Sequence, residues 1–96
     1  MAKRGELKPM DAYEKGIRDR AVGYNVVMFQ PGQSSRVYQS FDNLAMAIEY
    51  SKIVLKEPNR IRSAMIYAID EHNHHALVGT VGRHDLAYKE VELKTY

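Results

Sequence analysis

The stretch that decides the fold is residues 24–81, which read YNVVMFQPGQSSRVYQSFDNLAMAIEYSKIVLKEPNRIRSAMIYAIDEHNHHALVGTV. Segments rich in β-branched and aromatic residues flank one longer segment whose apolar residues recur at helical spacing. The order predicts strand, turn, short strand, helix, strand, loop and strand, which is an α+β fold. We expect an antiparallel sheet of about three to five strands, packed on one main helix.

The first two strands are expected on either side of a Pro-Gly turn. Residues 24–29 favour a strand, and Pro31-Gly32 follows as a strong turn signal. Residues 36–39 can then return antiparallel to the first strand.

The main helix is expected over residues 41–56, with Ser40 as its N-cap. Lys52 and Lys56 near its end suit the negative end of the helix dipole, and Pro58 stops it. One face of this helix carries small or apolar side chains at Leu44, Ala47, Ile48, Ser51 and Leu55.

Residues 61–69 predict a central strand, because apolar side chains occupy both of its alternating sets of positions. The two sets are Ala64, Ile66 and Ala68, and Met65, Tyr67 and Ile69. A polar loop over residues 70–75 and a strand over residues 76–81 follow. Residues 86–96 fit an exposed edge strand, with a C-terminal helix as the alternative.

The N-terminal part predicts an arm and a short helix. Residues 1–8 read as a flexible basic arm, and a helix is expected from Pro9 to about Arg20. Its narrow apolar stripe consists of Met10, Tyr13 and Ile17. A chain of 96 residues has room for one core, so residues 9–96 are expected to form a single α+β domain.

Composition limits the chemistry of the chain. Hydrophobic residues make up 45% and charged residues 27%, which is ordinary for a globular domain. The absence of cysteine excludes disulfides, thiol nucleophiles and cysteine-based zinc sites. No apolar run approaches the ~20 residues of a membrane span, and a cytoplasmic location is expected. A net charge of +2 does not by itself indicate nucleic acid.

The polar loop holds the residues with metal-ligand chemistry, which are His72, His74 and His75. Imidazoles with nearby carboxylates suit zinc, nickel or copper. A solvated hairpin tip is the alternative, because a stable site needs three or four convergent ligands. No catalytic residue and no cofactor is predicted. The glycine-rich run at residues 79–82 lacks the following helix of a phosphate loop, which favours a turn or bulge.

The candidate partner-binding residues are aromatic or basic. Tyrosine buries a ring while its hydroxyl stays in water, so half-exposed tyrosines suit interfaces. The basic residues near the end of the main helix would suit a phosphate backbone, although acidic residues interrupt the basic groups. The predicted set is Tyr13, Tyr24, Tyr38, Lys52, Lys56, Arg60 and Arg62.

The predicted sheet has more apolar surface than the main helix can cover, and this imbalance indicates a function. One helix cannot cover both faces of a sheet whose central strand is apolar on both sides, so the second face is expected to meet the N-terminal helix, another subunit or a foreign protein. The chain is therefore expected to be a small non-enzymatic binding protein that acts stoichiometrically on a macromolecular partner or self-associates. A nucleic-acid-binding regulator and a small oligomeric enzyme with a site between subunits are the alternatives.

In size and coarse pattern the chain resembles the small accessory and inhibitor proteins of phages and mobile elements, including anti-CRISPR proteins. This resemblance is one of architecture, and no family motif accompanies it. It implies inhibition by occupying the surface of a partner.

Overall fold

The computed structural model describes residues 9–34 and 36–91. Its elements are α1 (Pro9–Asp19), β1 (Gly23–Phe29), β2 (Arg36–Phe41), α2 (Leu44–Lys56), β3 (Ser63–Ile69), β4 (His75–Gly82) and β5 (Tyr88–Glu90). The five strands form one antiparallel sheet in the order β2-β1-β3-β4-β5. The predicted α+β class, the order of elements and the central position of β3 are confirmed.

Two predictions extend beyond the described residues. The arm over residues 1–8 lies outside them, as do residues 92–96 of the tail. Within the described part of the tail, β5 is the expected edge strand, and residues 86–91 contain no helix. In residues 9–34 and 36–91 no helix has the length and apolar content that crossing a bilayer requires.

The main helix begins later than predicted, at Leu44, and Ser40 is not its N-cap. Ser40 lies in β2, where its hydroxyl donates a hydrogen bond to Asn25 Oδ1 at 2.6 Å. Asn43 is the cap instead, because its side-chain oxygen accepts from the backbone N–H of Met46 at 2.9 Å. The pairing of β2 with β1 continues past Ser40, and this tertiary pairing overrides the local capping signal.

The connection between β1 and β2 is a type II turn. The N–H of Gln33 donates to the carbonyl of Gln30 at 3.1 Å, and Gly32 has a φ of 83°. A proline followed by a glycine suits this turn, since glycine adopts a positive φ without a Cβ clash. The Pro-Gly turn read from the sequence is confirmed.

The core lies between α2 and one face of the sheet. Ile66 occupies its centre, opposite Val26 in β1 and Gly79 in β4. The buried cluster consists of Val26, Met28, Ala47, Leu55, Ile61, Ala64, Ile66 and Val81. Ser51 is buried as the helical pattern predicts, and its hydroxyl donates to the carbonyl of Ala47 at 2.8 Å, so the buried polar group is satisfied.

Both helices lie over the same face of the sheet. The buried residues of β3 are Ala64, Ile66 and Ala68. Asp70 continues this alternating set just after the strand, and the guanidinium of Arg20, which follows α1, lies 3.7 Å from its carboxylate. α1 packs on β3 and β4 with Ile17 fully buried. α1 therefore does not cover the second face, which leaves another subunit or a foreign protein among the predicted occupants.

Candidate binding surfaces

The side of the sheet that faces away from both helices is the open face. Residues that pair directly across antiparallel strands share a face, and Val27 pairs with both Met65 and Val37. In β3 the residues on this side are half-exposed and alternate with the buried set. The open face consists of Asn25, Val27, Phe29, Val37, Ser40, Ser63, Met65, Tyr67, Ile69, His75, Leu77 and Thr80.

Two large apolar side chains of the open face are in contact with water. Phe29 is 41% exposed and Val37 is 51% exposed. Beside them lies a shallow depression of about 270 Å³, lined by Asn25, Val27, Val37, Tyr67 and His75. Single exposed apolar residues are ordinary, but a contiguous apolar patch is typical of an interaction site.

Strand β2 forms the edge of the sheet next to the open face. Arg36 is its only charged residue, and a bulge at Tyr38 interrupts its pairing with β1. The opposite edge, β5, has three residues, which include Lys89 and Glu90. Short length, charge and bulges protect sheet edges from pairing with other chains; β2 is longer than β5 and carries less charge, and the bulge at Tyr38 is its main protection.

The open face by itself is smaller than a standard protein interface. Four strands spaced about 4.8 Å apart, with about seven residues each at roughly 3.3 Å per residue, present roughly 400 Å². A standard interface buries about 800 Å² on each partner. Two copies packed face to face through the open face alone would fall short of that area.

The predicted tyrosines lie elsewhere. Tyr24 and Tyr38 are partly buried against the core on the helix side. Tyr13 is 52% exposed on α1, with its ring centroid 6.1 Å from that of His74. Tyr67, which the sequence reasoning did not select for partner binding, is the tyrosine that lines the depression. Its alternation with the buried residues of β3 is the signal that identifies it.

The predicted basic residues belong to two neighbouring elements. Lys52 and Lys56 lie on α2. Arg60 and Arg62 lie in the loop between α2 and β3, where they line a cleft of about 330 Å³. The cationic cleft is lined by Pro31, Asn59, Arg60 and Arg62.

The three histidines have different surroundings. His74 Nδ1 lies 3.1 Å from Asp70 Oδ2, whereas His75 lines the depression of the open face. His72 is exposed, with its Nε2 3.6 Å from Glu71 Oε1. Within residues 9–34 and 36–91, no three His, Asp or Glu side chains form a group that could hold a metal ion.

Asp70 organises the loop that carries these histidines. Its Oδ1 accepts the backbone N–H groups of His72 and His74, both at 2.9 Å, and its side chain is fully buried. Burial alone raises the pKa of Asp70, but the hydrogen bonds from His74 and His72 outweigh it and lower the pKa below its usual value. The carboxylate is therefore a structural anchor that favours its charged form.

Replacing Asp70 with asparagine is expected to lower the urea midpoint at pH 7. Because the folded-state pKa of Asp70 is depressed, its contribution to stability is present above the unfolded-state pKa of about 3.9 and is lost as pH falls through the folded-state value. The difference between wild type and Asp70→Asn should therefore narrow below about pH 4. The control is Glu71→Gln, since Glu71 is exposed. Equal midpoints for the two variants at pH 7 would contradict the prediction.

Comparison with protein-family models, with curated proteins and with solved structures finds no significant match to this chain. The depression of the open face and the cationic cleft lie at different places on the described part of the chain and share no lining residue.

Proposed function

We propose that this chain is a small non-enzymatic binding protein that acts stoichiometrically on a protein partner, which covers the open face and reaches over the edge strand β2. The observation that carries the proposal is the placement of both helices on one side of the sheet, which leaves Phe29 and Val37 exposed on the other. By occupying the partner's surface the chain acts as an inhibitor or regulator. The small accessory and inhibitor proteins of phages and mobile elements, which it resembles in size and coarse pattern, work in this way.

The partner contributes an extended segment with apolar side chains. The residues of the open face include no aspartate, glutamate, lysine or arginine, which favours an apolar rather than a charged contact. An extended segment beside β2 gains main-chain hydrogen bonds at the edge. Every second side chain of that segment then points to the open-face side, next to Val37.

Energetics also favour a partner that uses both the face and the edge. Burial of roughly 400 Å² of apolar surface is worth no more than about 10 kcal/mol. Association costs about 4–15 kcal/mol in lost translational and rotational freedom. The face alone therefore gives weak binding, and the hydrogen bonds along β2 are needed for a stable complex.

The proposal predicts that Val37→Glu abolishes complex formation while the fold is retained. Val37 lies where the open face meets the edge, and a glutamate there places a charge inside the apolar contact. Because Val37 is 51% exposed in the free protein, the free energy of unfolding should change by less than about 0.5 kcal/mol. The matched control is Ile53→Glu, because Ile53 is 54% exposed on α2.

The measurement is affinity purification of the tagged chain from its native cell extract, followed by light scattering on the purified complex. We expect one protein to be retained in equal molar amount by wild type and by Ile53→Glu, and lost with Val37→Glu. If both variants lost the partner protein, or if both retained it, the proposal would be contradicted. If purified wild type elutes as a dimer that Val37→Glu dissociates, the open face belongs to a second copy and the proposed foreign partner is overturned.

A further inference from the structure

We propose that the cationic cleft is a binding site for a phosphate group carried by a small molecule. The cleft lies between the β1–β2 turn, which supplies Pro31, and the loop between α2 and β3, which supplies Asn59, Arg60 and Arg62. It shares no lining residue with the depression of the open face. The inference therefore does not rest on the proposed protein-binding function.

The loop that carries the two arginines is held in place by Arg83. The Nε of Arg83 donates to the carbonyl of Ile61 at 2.6 Å, and its Nη1 donates to the carbonyl of Glu57 at 2.9 Å. Its Nη2 donates to the side-chain oxygen of Asn59. One guanidinium thus spans most of the loop, so the backbone that presents Arg60 is fixed before any ligand arrives.

The same loop is tied to the sheet. The N–H of Arg62 donates to the carbonyl of Phe29 at 2.9 Å, and the N–H of Arg83 donates to the carbonyl of Arg62 at 2.9 Å. Asn59 also links the loop to α2, because its side-chain nitrogen donates to the carbonyl of Val54 at 2.9 Å. A preorganised loop loses little conformational freedom when a ligand binds, which favours affinity.

The charge of the cleft is not neutralised within the described part of the chain. Arg18 and Arg20 have carboxylate partners in Glu14 and Asp70, whereas neither Arg60 nor Arg62 takes part in an ion pair among the described residues. Arg60 and Arg62 therefore bring to one cleft two positive charges without a carboxylate partner in residues 9–34 and 36–91, which favours an anionic ligand there. The guanidinium fork matches the oxygens of a phosphate, to which it can donate two hydrogen bonds at once.

The size and walls of the cleft indicate a small phosphate ester. A volume of about 330 Å³ is at the lower end of the range of roughly 300–1,000 Å³ for small-molecule pockets. Pro31 provides an apolar wall for the group that carries the phosphate. The side-chain oxygen of Asn59 is already used by the N–H of Ile61 at 3.0 Å and by Arg83, so recognition of the anion falls to Arg60 and Arg62.

The experiment is a titration of the protein with inorganic phosphate and, separately, with adenosine monophosphate, at ionic strength held constant with sodium chloride. Backbone amide chemical shifts of Arg60 and Arg62 should move and saturate, and the monophosphate should bind more tightly than inorganic phosphate. Arg60→Gln and Arg62→Gln should each weaken binding by about tenfold. Both side chains belong to exposed residues, so these variants are expected to remain folded, which circular dichroism checks.

The control is Lys52→Gln, which removes the same charge from α2 outside the cleft and should change the affinity by less than about twofold. If Lys52→Gln lowered the affinity as much as Arg62→Gln, the protein would attract anions diffusely, and the proposed site would be wrong. The proposed site would also be wrong if titration with sodium chloride alone moved the amide shifts of Arg60 and Arg62 as much as phosphate does. If inorganic phosphate binds as tightly as the monophosphate, the cleft takes the free ion and the proposed ester is wrong.

Discussion

Replacing Ile66 with alanine is expected to cost about 2–5 kcal/mol of the free energy of unfolding. Ile66 is fully buried at the centre of β3 and belongs to the cluster that packs against α2. Its truncation leaves a cavity that a close-packed core fills only in part. A domain has a total stability of about 5–15 kcal/mol, so this single change removes a large share of it. Urea unfolding, monitored by circular dichroism, measures the change in the free energy of unfolding.

The matched control is Met65→Ala, the preceding residue in the same strand. Met65 lies on the open face and is half-exposed, so we expect its truncation to cost about 1 kcal/mol. The comparison therefore measures how differently the two faces of β3 are covered. Equal costs for the two variants would mean that the open face is as well packed as the helix side, and the proposed binding function would lose its basis.

Replacing Gly79 with alanine is expected to cost about 1–3 kcal/mol and to release β5 from the sheet. A Cβ at this position would overlap the ring of Tyr88 and lie 2.6 Å from the carbonyl oxygen of Lys89. That oxygen belongs to the backbone of β5, which pairs with β4, so it has no room to retreat while the pairing persists. Hydrogen exchange should become faster in residues 86–91.

Gly82→Ala in the same strand is the control for that change. The nearest atoms to a Cβ there are those of the His84 ring, at 2.9 Å, followed by a carboxylate oxygen of Asp85 at 3.6 Å. The His84 side chain is 79% exposed and can rotate away, so exchange in β5 should stay as in wild type. Faster exchange in both variants would show that β5 is sensitive to any added methyl group and not to the close approach at Gly79.

Local sequence signals predicted those features that depend on neighbouring residues. The turn at Gly32 follows from the positive φ that glycine permits. Gly79, read as a turn or bulge residue, sits directly after Val78, the extra residue at the bulge in β4. The predicted start of α2 was wrong for the opposite reason. Ser40 satisfies a local rule for helix capping, but it pairs with β1 and therefore belongs to strand β2.

The candidate sites depended more on tertiary structure. Arg60 and Arg62 were selected from the sequence, but the loop that presents them to the cleft is held in place by Arg83, more than twenty residues away. Tyr24 and Tyr38 were selected for their amphipathic rings, and both pack against the core on the helix side. Spacing along the chain carries no information about which distant element will approach a side chain.

By itself the sequence determined the class, the order of the elements and the apolar character of both faces of β3, since these depend on periodicity and turn chemistry. Only the tertiary structure decided which face is left uncovered. The contacts of Ile17 and Arg20 place α1 on the side of the sheet that α2 already covers. This placement depends on long-range packing, which no local sequence pattern encodes. The open face is uncovered because both helices pack on the opposite side of the sheet.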